Sequence, residues 1–223
     1  MKCMVFPEID SPKRKDEDFY NIDEEADDQQ ISARSPLLNV NIGLIPMFPL
    51  DYMHSVYLGV VRKLILIWYR GSLNVHLGMK EKLKLNDMLA CSAYFPKEFQ
   101  RKPCVIHEVD RWKATEFRSF LLYTGLVVLK EVLSEKMYDN FLCLHVALRI
   151  MLSKHLILNY LNYAEELLVN FVSHCSDIYG EEFLVYNVHA LIHLADDVRR
   201  FGTLNTASAF LFESYLGQIK KLL

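Results

Sequence analysis

Apolar positions crowd one stretch of this chain above all others. Between Met53 and Tyr69, Val56, Leu58, Val60, Leu64, Ile65, Ile67 and Trp68 cover most of a helical circumference, with Arg62 and Lys63 adjacent on one side. A surface helix keeps a polar face, so this spacing predicts a mostly buried helix. Gly71-Ser72 stops it. Met79 to Ala93 predicts a second helix with Leu83, Leu85, Met88 and Leu89 inward and the lysines outward, followed by a loop bracketed by Pro96 and Pro103. A third spans Thr115 to Leu133, interrupted at Gly125, where close packing or a kink is expected. Ser134 is placed to cap a fourth, running to about Leu152. A fifth covers Ile157 to Tyr179 and closes at Gly180. The sixth is expected over Glu181 to Arg200, with acids at its start and Arg199-Arg200 at its end, as the helix dipole favours, and Gly202 after it. A seventh is expected from Ala207 to Leu223.

The front of the chain has no such rhythm. Asp16 to Gln30 is acidic and poor in apolar residues, which predicts a solvated linker. Pro36, Gly43, Pro46 and Pro49 then punctuate an extended or turn-rich segment, with a short strand expected near Leu37–Ile42. The pattern therefore predicts a mainly α, helical bundle-like domain over residues 36–223, behind an acidic flexible leader over 1–35, with at most a short strand or two near the N-terminus.

Charge sharpens this division. Residues 1–30 hold ten acids and four bases, a local charge of −6, so the rest of the chain carries +3 within a total of −3. An electrostatic nucleic-acid binder is basic overall, so any DNA contact has to come from local patches. The five cysteines are odd in number and scattered, with no Cys-x-x-Cys pair, which suits a reducing compartment and excludes a disulfide-linked partner. The first residues lack the apolar core of a signal peptide. The longest apolar stretch, broken by Arg62 and Lys63, is not a membrane span, so an intracellular protein without a membrane partner is expected.

Four clusters could carry chemistry. Asp51 precedes His54 by three positions at a helix start; it can cap the helix, orient the imidazole, or share a metal with it. His189 and His193, four apart, share a helix face and could bind zinc; packed, hydrogen-bonded histidines are the plainer reading, since no glutamate occupies the zinc-protease position. Glu213 lies among Phe210, Leu211, Phe212 and Tyr215, either half-buried and in need of a partner or on a solvent face. Arg111-Trp112-Lys113 with Arg101 and Lys102 mixes basic and aromatic residues as a DNA-contacting segment does; Trp112 reads equally well as a core anchor. Gly-rich phosphate loops, Gly-x-Ser-x-Gly elbows and a cysteine nucleophile context are absent from the sequence.

Three long phrases carry a family resemblance: FPLDYMHSVYLGVVRKLILIW, FQRKPCVIHEVDRWKATEFRSFLLYTGLVVLKEVLS and YNVHALIHLADDVRRFGTLNTASAFLFESYLGQIK. Together they span residues 48–220, and over them the chain resembles the C-terminal half of a CACTA-type (En/Spm-related) DNA transposase. The resemblance implies an RNase H-like recombinase in which two aspartates and a last acid hold two divalent ions, Mg2+ or Mn2+, for phosphodiester cleavage and strand transfer. It implies that Asp51 and His54 are the Asp-x-x-His of the helical insertion, and that Glu213 is the last acid. It also implies a nuclear location, and DNA, a second copy or a full-length transposase as partners. Arg101, Lys102, Arg111, Lys113, Arg199 and Arg200 are the DNA-contact candidates. The sequence departs from the family in lacking a strand–Asp–strand pattern before Asp51, and Leu126 and Thr203 stand where prolines are expected. The implied reading is a truncated or domesticated fragment, catalytically incomplete and without its own cofactor. Its alternative is a helical protein–protein module with no DNA role.

Overall fold

A computed structural model of the chain describes residues 4–11, 15–17, 36–40, 42–45, 47–90 and 104–221. These residues fall into two compact units, one of Met1–Ile9 with Asp51–Leu223, the other of Asp10–Leu50. The second unit includes a short 3-10 helix, Pro36–Val40, and a hydrogen bond from the Ile45 N–H to Asp16 Oδ1 at 2.9 Å. The strand expected near Leu37–Ile42 is therefore a helical turn instead. Pro36 fixes φ near −65° and lacks an N–H, so it starts a helical turn more readily than it joins a strand ladder. No strand occurs among the described residues.

The larger unit is mainly α-helical. α1 consists of a π-helical segment, Met53–Val61, running directly into an α-helical segment, Arg62–Arg70. The π winding is seen where the Arg62 N–H reaches back five residues to the Tyr57 carbonyl. Met53, Val56, Tyr57, Val60, Leu64, Ile65 and Trp68 are all fully buried, as their density predicted. Around α1 pack the start of α3, the first turns of α6 and the start of α7, described below. α1 ends at Gly71, as expected, and α2 spans Met79–Ala90 with Leu85 and Leu89 inward. Leu83 is 57 % exposed, contrary to its expected inward position. The remainder of the predicted second helix lies outside the described residues.

A 3-10 helix, Ile106–Arg111, leads to Trp112, which is buried against the rings of Phe117 and Phe120 at 5.3 and 5.6 Å. Trp112 is thus a core anchor. α3 then runs as Ala114–Ser119, a π turn at Phe120–Thr124, and Gly125–Lys130. The interruption foreseen at Gly125 is this π turn. The Gly125 N–H donates to the carbonyl of Phe120, five residues back, and a Cβ on Gly125 would lie 2.6 Å from that oxygen and 2.9 Å from Phe141. Only a glycine tolerates so close an approach without a shift of backbone. His145 Nδ1 lies 2.8 Å from the Leu121 carbonyl in the same turn, tying α3 to the next helix.

α4, Glu135–Met151, is capped by Ser134, whose hydroxyl accepts from the Met137 N–H. α5, Ile157–Tyr179, follows a short loop and forms with α4 the most extensive helix pair in the chain. Buried Asn140 crosses that interface, donating to the Phe171 carbonyl at 3.1 Å. Gly180, at φ +89°, ends α5 in the left-handed region that L side chains avoid.

The sixth predicted helix is not continuous. A 3-10 turn at Glu181–Phe183 leads to Leu184 and extended Val185. α6 begins only at Tyr186, running as Tyr186–His189, a 3-10 turn at Ala190–His193, and Leu194–Phe201. Phe183 and Leu184 are buried, so tertiary packing wins over the local helical pattern there. Gly202 (φ +83°) stops α6 as expected. A 3-10 turn, Leu204–Ala207, leads to α7, Ala209–Ile219, capped by Ser208.

Candidate functional site

Asp51 precedes α1, and its carboxylate is a shared cap. Oδ1 accepts from the Met53 N–H at 3.3 Å and Oδ2 from the His54 N–H at 3.2 Å, which satisfies two free donors of α1. Oδ1 also accepts from the N–H of Ala209, the first residue of α7, at 2.9 Å. One side chain therefore pins the start of two helices 158 positions apart in sequence. Burial pushes its pKa up, but the hydrogen bonds from Ala209, from the His54 ring and from the His54 and Met53 N–H groups more than offset that. The carboxyl ends below the ordinary aspartate range.

The same carboxylate orients His54. His54 Nδ1 is in short hydrogen-bond contact with Asp51 Oδ2. An ionised carboxylate only accepts, so Nδ1 carries the proton and donates. The ring's other nitrogen, Nε2, faces Glu213 Oε1 at 3.3 Å. Asp51 is 27 % exposed, while His54 and Glu213 are each 56 % exposed. The Asp51–His54 pair and Glu213, noted as separate clusters in the sequence, thus meet at one solvent-facing place. Two of the three readings of Asp51 describe it here, since it caps and it orients.

An aromatic floor supports the join. Phe210 packs on the rings of Tyr52 and Tyr57 at 6.2 and 6.0 Å, and the Tyr52 hydroxyl donates to Asn205 Oδ1 at 2.7 Å. Arg118 lies over the Phe210 ring at 5.7 Å. Burial drives the Tyr57 hydroxyl's pKa far up, with the nearby guanidinium opposing that rise. Among the described residues no carboxylate pairs with Arg118. Sequence spacing had no means of assigning Arg118 or the Asp51–Ala209 bond, because each joins elements that are distant along the chain.

Beyond Phe210, α7 leaves the body. None of its residues is buried, and Leu211, Phe212, Tyr215 and Leu216 are 54–75 % exposed.

The other predicted residues lie elsewhere. His189 and His193 meet edge to face with ring centres 5.4 Å apart, and His189 also lies against Phe6 at 5.9 Å. Burial lowers the pKa of His189, with a backbone group of Phe6 opposing. Among the described residues no group of three His, Cys, Asp or Glu is arranged to hold a metal. Arg199 is bound by Glu165, by Asp196 at 3.1 Å and by Asn162 at 2.8 Å, so its charge is already met by carboxylates. Arg111 is exposed and 3.8 Å from Glu108; Lys113 and Arg200 are exposed. Arg101 and Lys102 lie outside the described residues. Cys104, Cys143 and Cys175 form no disulfide among the described residues, and no helix among them is long and apolar enough to cross a membrane. Comparison of the chain with protein-family models, curated proteins and solved structures returned no match.

Proposed function

We propose that the chain is the helical part of a CACTA-type (En/Spm-related) DNA transposase and does not cleave DNA by itself. One observation supports this reading above others. The two residues that match the Asp-x-x-His of the resemblance, Asp51 and His54, lie against Glu213, which matches its last acid. Sequence alone gave no reason for these distant positions to meet. In the parent chemistry, divalent ions activate the attacking oxygen and stabilise the leaving one. Here Glu213 would be the single carboxylate among the described residues offered to such an ion. One carboxylate leaves Mg2+ with most of its waters and binds it weakly. The purified protein, incubated with supercoiled plasmid and Mg2+ or Mn2+, is expected to leave the plasmid intact. Nicking that disappears in Glu213→Ala would overturn the proposal. Residual DNA binding through Arg111, Lys113 and Arg200 is expected to be weak and steeply salt-dependent, and its absence at low salt would remove the DNA role.

α7 favours a second reading, a protein–protein module. A helix apolar on several sides is normally a covered helix, and Leu211, Phe212, Tyr215 and Leu216 are open to solvent. Salt-insensitive oligomers in size-exclusion chromatography, lost in Phe212→Asp, would support this module over the DNA role.

A further inference from the structure

We infer that His54 and Glu213 form a two-ligand site for a borderline first-row divalent ion such as Zn2+, with Asp51 as the positioning residue. The inference rests on the geometry of three side chains and holds whether or not the chain descends from a transposase. Asp51 accepts the hydrogen bond from the Nδ1–H, so in the neutral ring Nε2 presents a lone pair. That lone pair lies 3.3 Å from a carboxylate oxygen, which is also only an acceptor. Two acceptors at this distance need a cation between them, either a proton or a metal. Their separation is that of two ligands on one ion. Zn–N and Zn–O bonds of about 2.0–2.2 Å at near-tetrahedral angles set the ligand atoms about 3.3–3.6 Å apart, and the observed separation sits at the short end of that range. A proton on Nε2 makes the two groups an ion pair, and a metal ion would take the place of that proton.

The surroundings fit a metal ligand as well. A histidine that binds a metal characteristically donates its other nitrogen to a carboxylate, which fixes the tautomer and raises ligand basicity. Asp51 does this, and it also anchors the first residue of α7, four positions before Glu213. Both ligand atoms are therefore placed by one group. The exposure of His54 and Glu213 leaves the remaining coordination positions to water or to an incoming oxygen ligand. An imidazole suits zinc, whereas Mg2+ prefers oxygen alone. The pair present thus departs from the all-carboxylate set that the transposase resemblance implies.

The test is titration of the full, EDTA-treated chain with Zn2+ by calorimetry and with Co2+ by visible absorption, with Mg2+ in parallel. One Zn2+ per chain is expected, with Mg2+ at least about 10-fold weaker. His54→Ala and Glu213→Gln should each weaken binding at least 10-fold. Asp51→Asn keeps an acceptor for the capping N–H groups but loses the charge; it should weaken binding about 10- to 100-fold while far-UV circular dichroism stays unchanged. His189→Ala and His193→Ala should have no effect. The inference is overturned if Zn2+ does not bind, if it binds equally in Glu213→Gln, or if His189→Ala abolishes it. Glu213 is exposed and outside the core, so its variant folds and keeps the outcome readable. Glu213-dependent nicking alongside Zn2+ binding would overturn the proposed function and leave this site standing, and an intact plasmid without Zn2+ binding would do the reverse, so the two proposals fail separately.

Discussion

At the scale of single residues, Asp51 does the most with the fewest atoms. Its four acceptor contacts join α1, His54 and α7. Replacing it by alanine leaves N–H groups at two helix starts without a cap. Each lost cap costs about 1 kcal/mol, so Asp51→Ala is expected to destabilise by about 1–3 kcal/mol in urea unfolding. The pH dependence follows from the sign of its shift. The folded-state pKa lies below the ordinary value, so its stabilisation is present above that value and lost as pH falls through the lower one. The gap between wild type and Asp51→Ala should therefore stay constant from pH 7 to pH 5 and shrink below about pH 4. A gap that persists undiminished at pH 3 would overturn this assignment. The capping role was legible in the sequence because capping is local, set by a side chain and the N–H groups two and three positions on. The bond to Ala209 was not, since nothing local encodes a partner 158 positions away.

At the scale of elements, helix starts and stops followed their local chemistry closely. Ser134 caps α4, and Gly180 and Gly202 end α5 and α6 with positive φ. Winding did not follow from the pattern. Apolar periodicity predicts a helix but does not distinguish π from α turns, because an added residue per turn alters which carbonyl is reached without changing the residue types. α3 shows the consequence at Gly125, where the π turn brings the Phe120 carbonyl against the glycine. Gly125→Ala should therefore destabilise by about 1–3 kcal/mol through overpacking, measured by chemical denaturation. A neutral or stabilising result would mean that this turn relaxes to ordinary α geometry. The predicted sixth helix breaks at Leu184-Val185 for a related reason. The local pattern was helical, but Phe183 and Leu184 are buried in the body and α6 restarts after them.

At the scale of the whole molecule, protection is uneven. α4 and α5 share the largest interface and a buried Asn140 bridge, whereas α7 has no buried residue after its anchoring turn. An isolated helix of about a dozen residues is marginal in water, so hydrogen exchange in the isolated protein should be fastest in α7 and slowest in α4 and α5. Slow exchange in α7 at micromolar concentration would point to a partner surface already covering it. The sequence by itself determined the helical class, the buried character of α1, the capping role of Asp51 and most helix ends, because these follow from side-chain spacing and from φ preferences within a few residues. It also singled out the Asp51–His54 pair and Glu213, but as two separate features. Only the tertiary structure decided that they meet, that His189 and His193 stand apart from them, and that Arg199 is paired with a carboxylate, Glu165, from another helix. Those outcomes depend on which surfaces exclude water against each other, a choice made by the packed chain as a whole and written in no single segment of it.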